Sequence, residues 1–324
     1  MQNQIFNINN EQEFTKTALE IFKYQFKNNK VYRSFCDLIN RHPSDVSTVE
    51  QIPFLPIQFF KTRKVVSSLD EIDEIFTSSG TTGSTTSKHF VSEINLYKDS
   101  YLKGFSHFYG AIEDYVILAL LPNYLERKGS SLVFMVDDLI KKSKNNESGF
   151  FLKNEEELAQ KLQKLDKNGQ KTLLIGVSFA LLDLIEKHQF NLKNSFIMET
   201  GGMKGRRKEL IRTELHQLLR NGFGVDKIHS EYGMTELLSQ AYSKGDGIFG
   251  TPSWMKVLTR DTEDALTILS SGKTGGINVI DLANYNSCSF IATQDLGKVH
   301  KNGTFEVLGR FDDSDIRGCN LMVL

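Results

Sequence analysis

Between Thr77 and Lys88 the chain reads Thr-Ser-Ser-Gly-Thr-Thr-Gly-Ser-Thr-Thr-Ser-Lys, a run of hydroxyls broken only by Gly80 and Gly83 and closed by a cation. Such a turn presents many N–H and O–H donors, and its glycines let the backbone wrap phosphate oxygens while Lys88 serves as a mobile counter-charge. It is not a Walker A loop, because Ser87 rather than glycine precedes the lysine. The same composition also describes a flexible linker, and the residues by themselves leave both readings open. A second cluster, Glu199-Thr200-Gly201-Gly202, follows an apolar run. Paired glycines there either let a flat ligand lie against the backbone or serve only the turn. The third cluster, Ser230-Glu231-Tyr232-Gly233-Met234-Thr235-Glu236, joins an aromatic face suited to a base, a hydroxyl, and a carboxylate able to hold Mg²⁺.

Elements must position these residues. Apolar residues recur at helical steps through Phe14, Ala18, Ile21 and Phe22, and again through Phe35, Leu38 and Ile39, which predicts two amphipathic helices between Glu11 and Asn40. Short apolar runs at Tyr115–Leu121, Lys171–Val177 and Phe196–Glu199 read as strands buried on both faces. Helical patterns lie between them, at Ser178–His188 and at Arg206–Arg220, the latter expected to end at Asn221-Gly222 in a left-handed cap. Alternating strand and helix predicts an α/β core with a largely parallel sheet, and in such sheets ligands bind beyond the carboxyl ends of the strands. Beyond Gly250 the segments Ala265–Leu269, Ile277–Leu282, Lys298–His300 and Thr304–Leu308 predict a small antiparallel β unit, with a tight hairpin at Lys301-Asn302-Gly303. Lys141–Glu147 reads as a solvated loop.

The 39 Lys and Arg residues nearly balance 40 Asp and Glu, so a phosphate-bearing ligand must be gripped locally, and a nucleic-acid partner is not expected. Three scattered cysteines, Cys36, Cys288 and Cys319, form neither a disulfide framework nor a zinc site. No secretory signal and no apolar run of membrane-spanning length is visible. A cytoplasmic protein without a membrane span is expected.

The first cluster resembles the phosphate loop of the adenylate-forming superfamily of acyl and aryl ligases, and Tyr232–Glu236 resembles its Y-G-x-T-E motif. Thr293-Gln294-Asp295-Leu296-Gly297 is similar to its T-x-D-x-G segment, and Leu308–Asp313 to its G-R-x-D-D hinge. Within that superfamily the chain resembles acyl-protein synthetases of the LuxE type. It shares with them the compact length, the helical start, Leu121–Arg127 followed by Ser130-Ser131-Leu132, and a cysteine near the end. The resemblance implies a large α/β domain with mostly parallel sheet layers flanked by helices. It also implies a helical segment over 1–65, an adenylation core over 66–309, and a short tail over 310–324.

By the same resemblance, Ser78, Ser79, Gly80, Thr81, Thr82 and Gly83 would cradle the ATP phosphates. Tyr232 would stack on adenine beside Gly201 and Gly202, Thr235 would bond the α-phosphate, Glu236 would coordinate Mg²⁺, and Asp295 and Arg310 would hold the ribose. The implied reaction is attack of a carboxylate, that of a fatty acid, on the α-phosphate of Mg-ATP, then transfer of the acyl group to a thiol. Cys319, beside Arg317, matches the near-terminal acceptor cysteine of LuxE-type enzymes, and an acyl-accepting reductase or carrier protein would be the partner. Full-length ligases carry a further domain of about 100 residues that supplies a catalytic lysine. Here only 14 residues follow Arg310, so that domain is expected to be absent, and Lys88, Lys204, Arg206 or a partner would supply the charge. The alternatives are delivery to coenzyme A or a carrier protein by a related ligase, and a nucleotide-binding module without turnover. Phe105, Phe108 and Tyr109 suit either an acyl pocket or plain core packing.

Overall fold

Asn10 caps the helix Glu11–Asn28 by accepting from the Glu13 N–H at 2.9 Å, and Asn29 caps the next, Lys30–Leu38, by accepting from Tyr32 at 3.0 Å. The Asn29 amide also donates to the Ser287 carbonyl at 2.9 Å, so one residue both breaks the helices and ties them to the distant C-terminal half. Phe14, Ala18, Ile21 and Phe22 are buried as the periodicity requires, and each large apolar side chain so buried contributes about 1.5–3 kcal/mol. The computed structural model in which these features are seen describes residues 2–67, 71–78, 86–121, 129–151, 154–201 and 210–311.

In chain order the described strands are β1 (Leu55–Pro56), β2 (Glu74–Thr77), β3 (Lys88–Val91), β4 (Val116–Leu120), β5 (Gly149–Phe150), β6 (Thr172–Val177) and β7 (Ser195–Thr200). They continue with β8 (His229–Tyr232), β9 (Ala241–Ser243), β10 (Ile248–Gly250), β11 (Met255–Arg260), β12 (Thr274–Asp281), β13 (Phe290–Val299) and β14 (Phe305–Arg310). β5, β4, β6, β7 and β8 are parallel neighbours. Helices Ser131–Ser143, Glu155–Lys167, Ser178–Lys187 and Arg212–Phe223 lie between successive strands of this half. β4 and β6 are buried along their whole length, which explains why they read as unbroken apolar runs. From β8 the same sheet continues antiparallel through β9, β10, β14, β13, β12 and β11. The expected antiparallel unit is therefore present, and it is continuous with the parallel half.

β2 and β3 form a separate hairpin. β1 pairs in parallel with β13 at Leu55↔Ile291 and Pro56↔Ala292, along the edge that β14 takes further on, from Asp295 to Val299. This docks the N-terminal segment beside the strand that carries Asp295. Proline is tolerated there because it lies at the end of a two-residue edge pairing.

Three local expectations are corrected. The last interstrand helix starts at Arg212, Leu210 and Ile211 being outside it, and ends at Phe223 with Gly224 (φ 66°) as its left-handed cap. Gly222 lies inside the helix because a Cβ there would come within 2.5 Å of Ile185 on the neighbouring helix, so close packing rather than chain reversal selects it. Ala265–Leu269 forms no strand, only one bridge between Arg260 and Ile268, because Asp261 and Asp264 turn the backbone by accepting from nearby N–H groups. Lys141 to Ser143 belong to a helix, which leaves the loop to begin at Lys144. No described helix is long and apolar enough to cross a membrane.

Candidate active site

Gly201 follows β7 and the Tyr232–Glu236 stretch starts at the last residue of β8, so both lie at the carboxyl ends of parallel strands. Gly201 has φ 67°, and its carbonyl accepts from the Ser178 hydroxyl at 2.8 Å. Gly233 is required by close approach, since a Cβ there would meet Glu231 Oε1 at 2.4 Å. After it the chain turns at Thr235-Glu236, closed by Leu237 N–H donating to the Met234 carbonyl at 3.1 Å.

Buried polar groups hold this turn from below. Asp281 accepts from the N–H groups of Leu238 (2.8 Å) and Ser239 (2.9 Å) and from the Ser239 hydroxyl (2.6 Å). Burial pushes its carboxyl up to about 6 against those hydrogen bonds. The Asn284 amide donates to the carbonyls of Glu236 (2.7 Å) and Cys288 (2.9 Å). His89 Nδ1 lies 2.8 Å from the Thr235 carbonyl, and its Nε2 3.0 Å from Asn284 Oδ1. Burial lowers the His89 pKa to about 4, with both contacts opposing.

His89 belongs to β3, the strand that leaves the hydroxyl-rich loop. Ser78 and Ser87 close the neck of that loop: Ser78 N–H donates to the Ser87 carbonyl at 3.1 Å, and Ser87 N–H to Ser78 Oγ at 2.9 Å. The buried Ser87 hydroxyl bonds the Glu236 carboxylate. Two segments about 150 residues apart in sequence thus meet through Ser87–Glu236 and His89–Thr235. Lys88, opposite Thr77 at the neck, is exposed.

Burial raises the Glu236 carboxyl above its ordinary range, opposed by the Ser87 hydroxyl and by the charges of Arg310 and Lys61. A nearly buried carboxylate with one hydroxyl partner, beside the half-buried Thr235, fits a hard divalent cation that draws its other oxygens from phosphates and water. Among the described residues no group of three or more His, Cys, Asp or Glu side chains could hold a metal unaided.

The Tyr232 hydroxyl donates to Asp295 Oδ2 at 2.8 Å, and Arg310 Nε lies 3.5 Å from Asp295 Oδ1 across the β13–β14 pair. Burial raises the Asp295 carboxyl, opposed by Tyr232 and by the charges of Arg310 and Arg260. The Tyr232 ring is 8% exposed and packs edge-on against Phe249 and Phe305. Asp295, Arg310 and Tyr232 therefore form one connected group, and Arg310 links it electrostatically to Glu236. Behind Gly201, Glu199 pairs with Arg212 at 2.5 Å. Despite burial, His216 and Arg212 hold the Glu199 carboxyl below its ordinary range. Glu231, which accepts from the Thr200 hydroxyl at 2.5 Å, is pushed by burial up to about 7.

Of the residues anticipated from sequence, Ser78, Lys88, Gly201, Tyr232, Thr235, Glu236, Asp295 and Arg310 are placed as above. Ser79, Gly80, Thr81, Thr82, Gly83, Gly202, Lys204, Arg206, Arg317 and Cys319 lie outside the described residues. Phe105, Phe108 and Tyr109 join an aromatic cluster with Tyr115, Tyr242 and His229, in which the Tyr109 hydroxyl lies 3.2 Å from His229 Nδ1. Cys36 and Cys288 are buried free thiols. Sequence reasoning missed Ser87, Asp281 and Asn284. Ser87 lay inside the recognised run, whereas the other two carry no local signal.

The fold is that of the adenylate-forming acid ligases. The 2-hydroxyisobutyryl-CoA ligase solved with 2-HIB-AMP and CoA matches with a TM-score of 0.67 and 11% identity, over 94% of this chain and 75% of that one. ATP-bound MatB from Rhodopseudomonas palustris matches with a TM-score of 0.56 and 19% identity over 75% of this chain, which spans about half (49%) of the length of MatB. In sequence, the long-chain-fatty-acid–luciferin-component ligase of Aliivibrio fischeri is 24% identical over 94% of this chain and 86% of its own length. That of Vibrio harveyi is 22% identical over 98% and 89%. The model of the acyl-protein synthetase family LuxE matches residues 4–108 and 139–324, and the chain belongs to that family.

Proposed function

We propose that this protein activates a long-chain fatty acid with Mg-ATP and passes the acyl group to a thiol and then to a partner protein. The meeting of the Thr235-Glu236 turn with the neck of the hydroxyl-rich loop carries the reading, because it brings the root of a phosphate-donor loop and a cation-holding carboxylate together at the carboxyl end of β8. In the first step a carboxylate oxygen attacks the α-phosphorus, the bond to the β-phosphate oxygen breaks, and acyl-AMP and pyrophosphate result. This chemistry needs charge neutralisation and alignment more than acid–base help. Ser78 through Gly83 would surround the β- and γ-phosphates, Thr235 would bond the α-phosphate, and Asp295 with Arg310 would hold the ribose. Tyr232 would take the adenine beside Gly201 and Gly202. Bound Mg²⁺, held by Glu236, would neutralise phosphate charge. Residues 1–65 act as a docked N-terminal segment, 66–309 as the adenylation core and 310–324 as the tail.

In the second step a Cys319 thiolate would attack the acyl carbonyl, forming a thioester and expelling AMP. We place the protein in the cytoplasm, where thiols stay reduced, in keeping with buried free Cys36 and Cys288. The test is incubation with ATP, Mg²⁺ and radiolabelled fatty acids of graded length, reading pyrophosphate release and label retained on the denatured protein. Acid-dependent release with hydroxylamine-labile label, the label lost in Cys319→Ser while release persists, is expected. Release without protein-bound label in the wild type would reassign the acceptor to a soluble thiol, and no release with any acid would overturn activation itself.

A further inference from the structure

Arg260 ends β11, and its half-buried side chain reaches across β12 to β13. Nη1 donates to the Ile277 carbonyl and to Asn278 Oδ1, both at 2.8 Å, and Nη2 donates to the Thr293 carbonyl at 2.6 Å. Gly276 is the partner of Arg260 on β12, and a Cβ there would come within 2.6 Å of Arg260 Cζ, so glycine keeps this crossing open. The pairing of β12 with β13 shifts register between Gly276 and Asn278, and irregularities of this kind re-aim the side chains beside them. The Ile277 carbonyl inside that shift accepts from the guanidinium and also from the Thr293 hydroxyl at 2.9 Å.

The same guanidinium lies over the Phe311 ring, 5.8 Å from its centroid. Phe311 comes directly after Arg310, and its N–H donates to the Gln294 carbonyl at 2.7 Å. The Thr293 hydroxyl accepts from the Asp295 N–H at 3.1 Å. Arg260 therefore holds the residue two before Asp295 and the residue next after Arg310, while Asp295 and Arg310 face each other across β13 and β14. A planar fork suits this task better than a point charge, because it bonds carbonyls along its edge and stacks on a ring with its face.

We propose that Arg260 is a positioning residue for the nucleotide ribose, setting Asp295 and Arg310 against each other by fixing Thr293 on one strand and Phe311 at the end of the next. It acts through these neighbours and touches no substrate. The inference rests on the adenylation reading given above, in which Asp295 and Arg310 take the ribose hydroxyls.

The test measures binding of Mg-ATP and of its 2′,3′-dideoxy analogue by calorimetry in wild type, Arg260→Met, Arg260→Lys and Phe311→Leu, with pyrophosphate release and thermal unfolding read on the same samples. A hydrogen bond to a charged group accounts for about tenfold or more in affinity, so wild type should prefer ATP by that order. Arg260→Met should weaken ATP about tenfold and the analogue less than about threefold, removing most of the preference. Arg260→Lys keeps the charge without the fork, and Phe311→Leu removes the ring, so each should lose part of it. General loosening of the fold would weaken both nucleotides alike. Equal weakening, or a preference in Arg260→Met within about twofold of wild type, would therefore overturn the assignment. Where Arg260→Met does not fold, an unchanged preference in both Arg260→Lys and Phe311→Leu would overturn it likewise. A wild type that releases pyrophosphate without preferring ATP would overturn this assignment and leave adenylation standing, whereas one that binds no Mg-ATP would overturn both.

Discussion

Glu236 is buried with a single hydroxyl partner, and its raised carboxyl pKa means that the folded protein bears a cost for keeping it charged. Glu236→Gln should leave thermal stability near pH 7 equal or higher, while acid-dependent pyrophosphate release falls about 100-fold or more, as for removal of one electrostatic stabiliser. Calorimetry and a release assay on the same sample read both. Glu231 supplies a pH signature. Its folded pKa of about 7 lies above the ordinary 4.5, so its contribution is intact below pH 4.5 and is lost as pH rises to 7. Glu231→Gln keeps an acceptor for Thr200, and its stability relative to wild type should climb across that window by a few kcal/mol and then level off. Denaturant titrations at several pH values check the slope. The Tyr232–Glu236 stretch stood out in the sequence because an aromatic ring, a hydroxyl and a carboxylate crowd into five residues at the end of a strand. Asp281 and Asn284 did not stand out at all. A buried polar residue announces its purpose through partners distant along the chain.

Elements were most legible where periodicity was long. The helix capped by Asn10 and the parallel strands follow from spacing and from unbroken apolar runs, whereas the helix capped by Asn29 buries Tyr32 and Cys36 and leaves Leu38 exposed, not the face its apolar spacing marked. The end of the helix Arg212–Phe223 was misplaced because two glycines stand two residues apart, and composition does not tell a packing glycine from a cap. Gly224→Ala forces φ 66° on a residue with a Cβ that would meet the Asn191 Cα at 2.7 Å. It should destabilise by about 1–2 kcal/mol from backbone strain alone, and more from the clash, as read by urea unfolding. The turn after β8 depends on Asp281 at the end of β12. Asp281→Ala leaves three buried backbone N–H groups, those of Leu238, Ser239 and Ala283, and the Ser239 hydroxyl without this acceptor, each costing about 1–3 kcal/mol. It should therefore lose both stability and pyrophosphate release. Recovery of release at low temperature, where the fold persists, would show that Asp281 positions the turn rather than touching substrate.

At the scale of the whole molecule, one sheet carries a parallel half that ends in Gly201 and Tyr232 and an antiparallel half that brings Asp295 and Arg310 alongside. The hairpin β2–β3 and the N-terminal segment then close over the junction. The alternation of strands and helices foretold the first half and short glycine-punctuated segments the second. Their union in one sheet was not foretold, nor was the docking of β1 on β13, because a two-residue pairing leaves no periodic trace. The central claim is that a carboxylate oxygen attacks the α-phosphorus of a nucleotide held where these parts meet. It is tested most directly with a long-chain fatty acid labelled with ¹⁸O in its carboxyl group, by mass spectrometry of the nucleotide released after thiol capture. One ¹⁸O in AMP is the predicted result. Label in inorganic phosphate with ADP as the nucleotide, or AMP free of ¹⁸O, would contradict it.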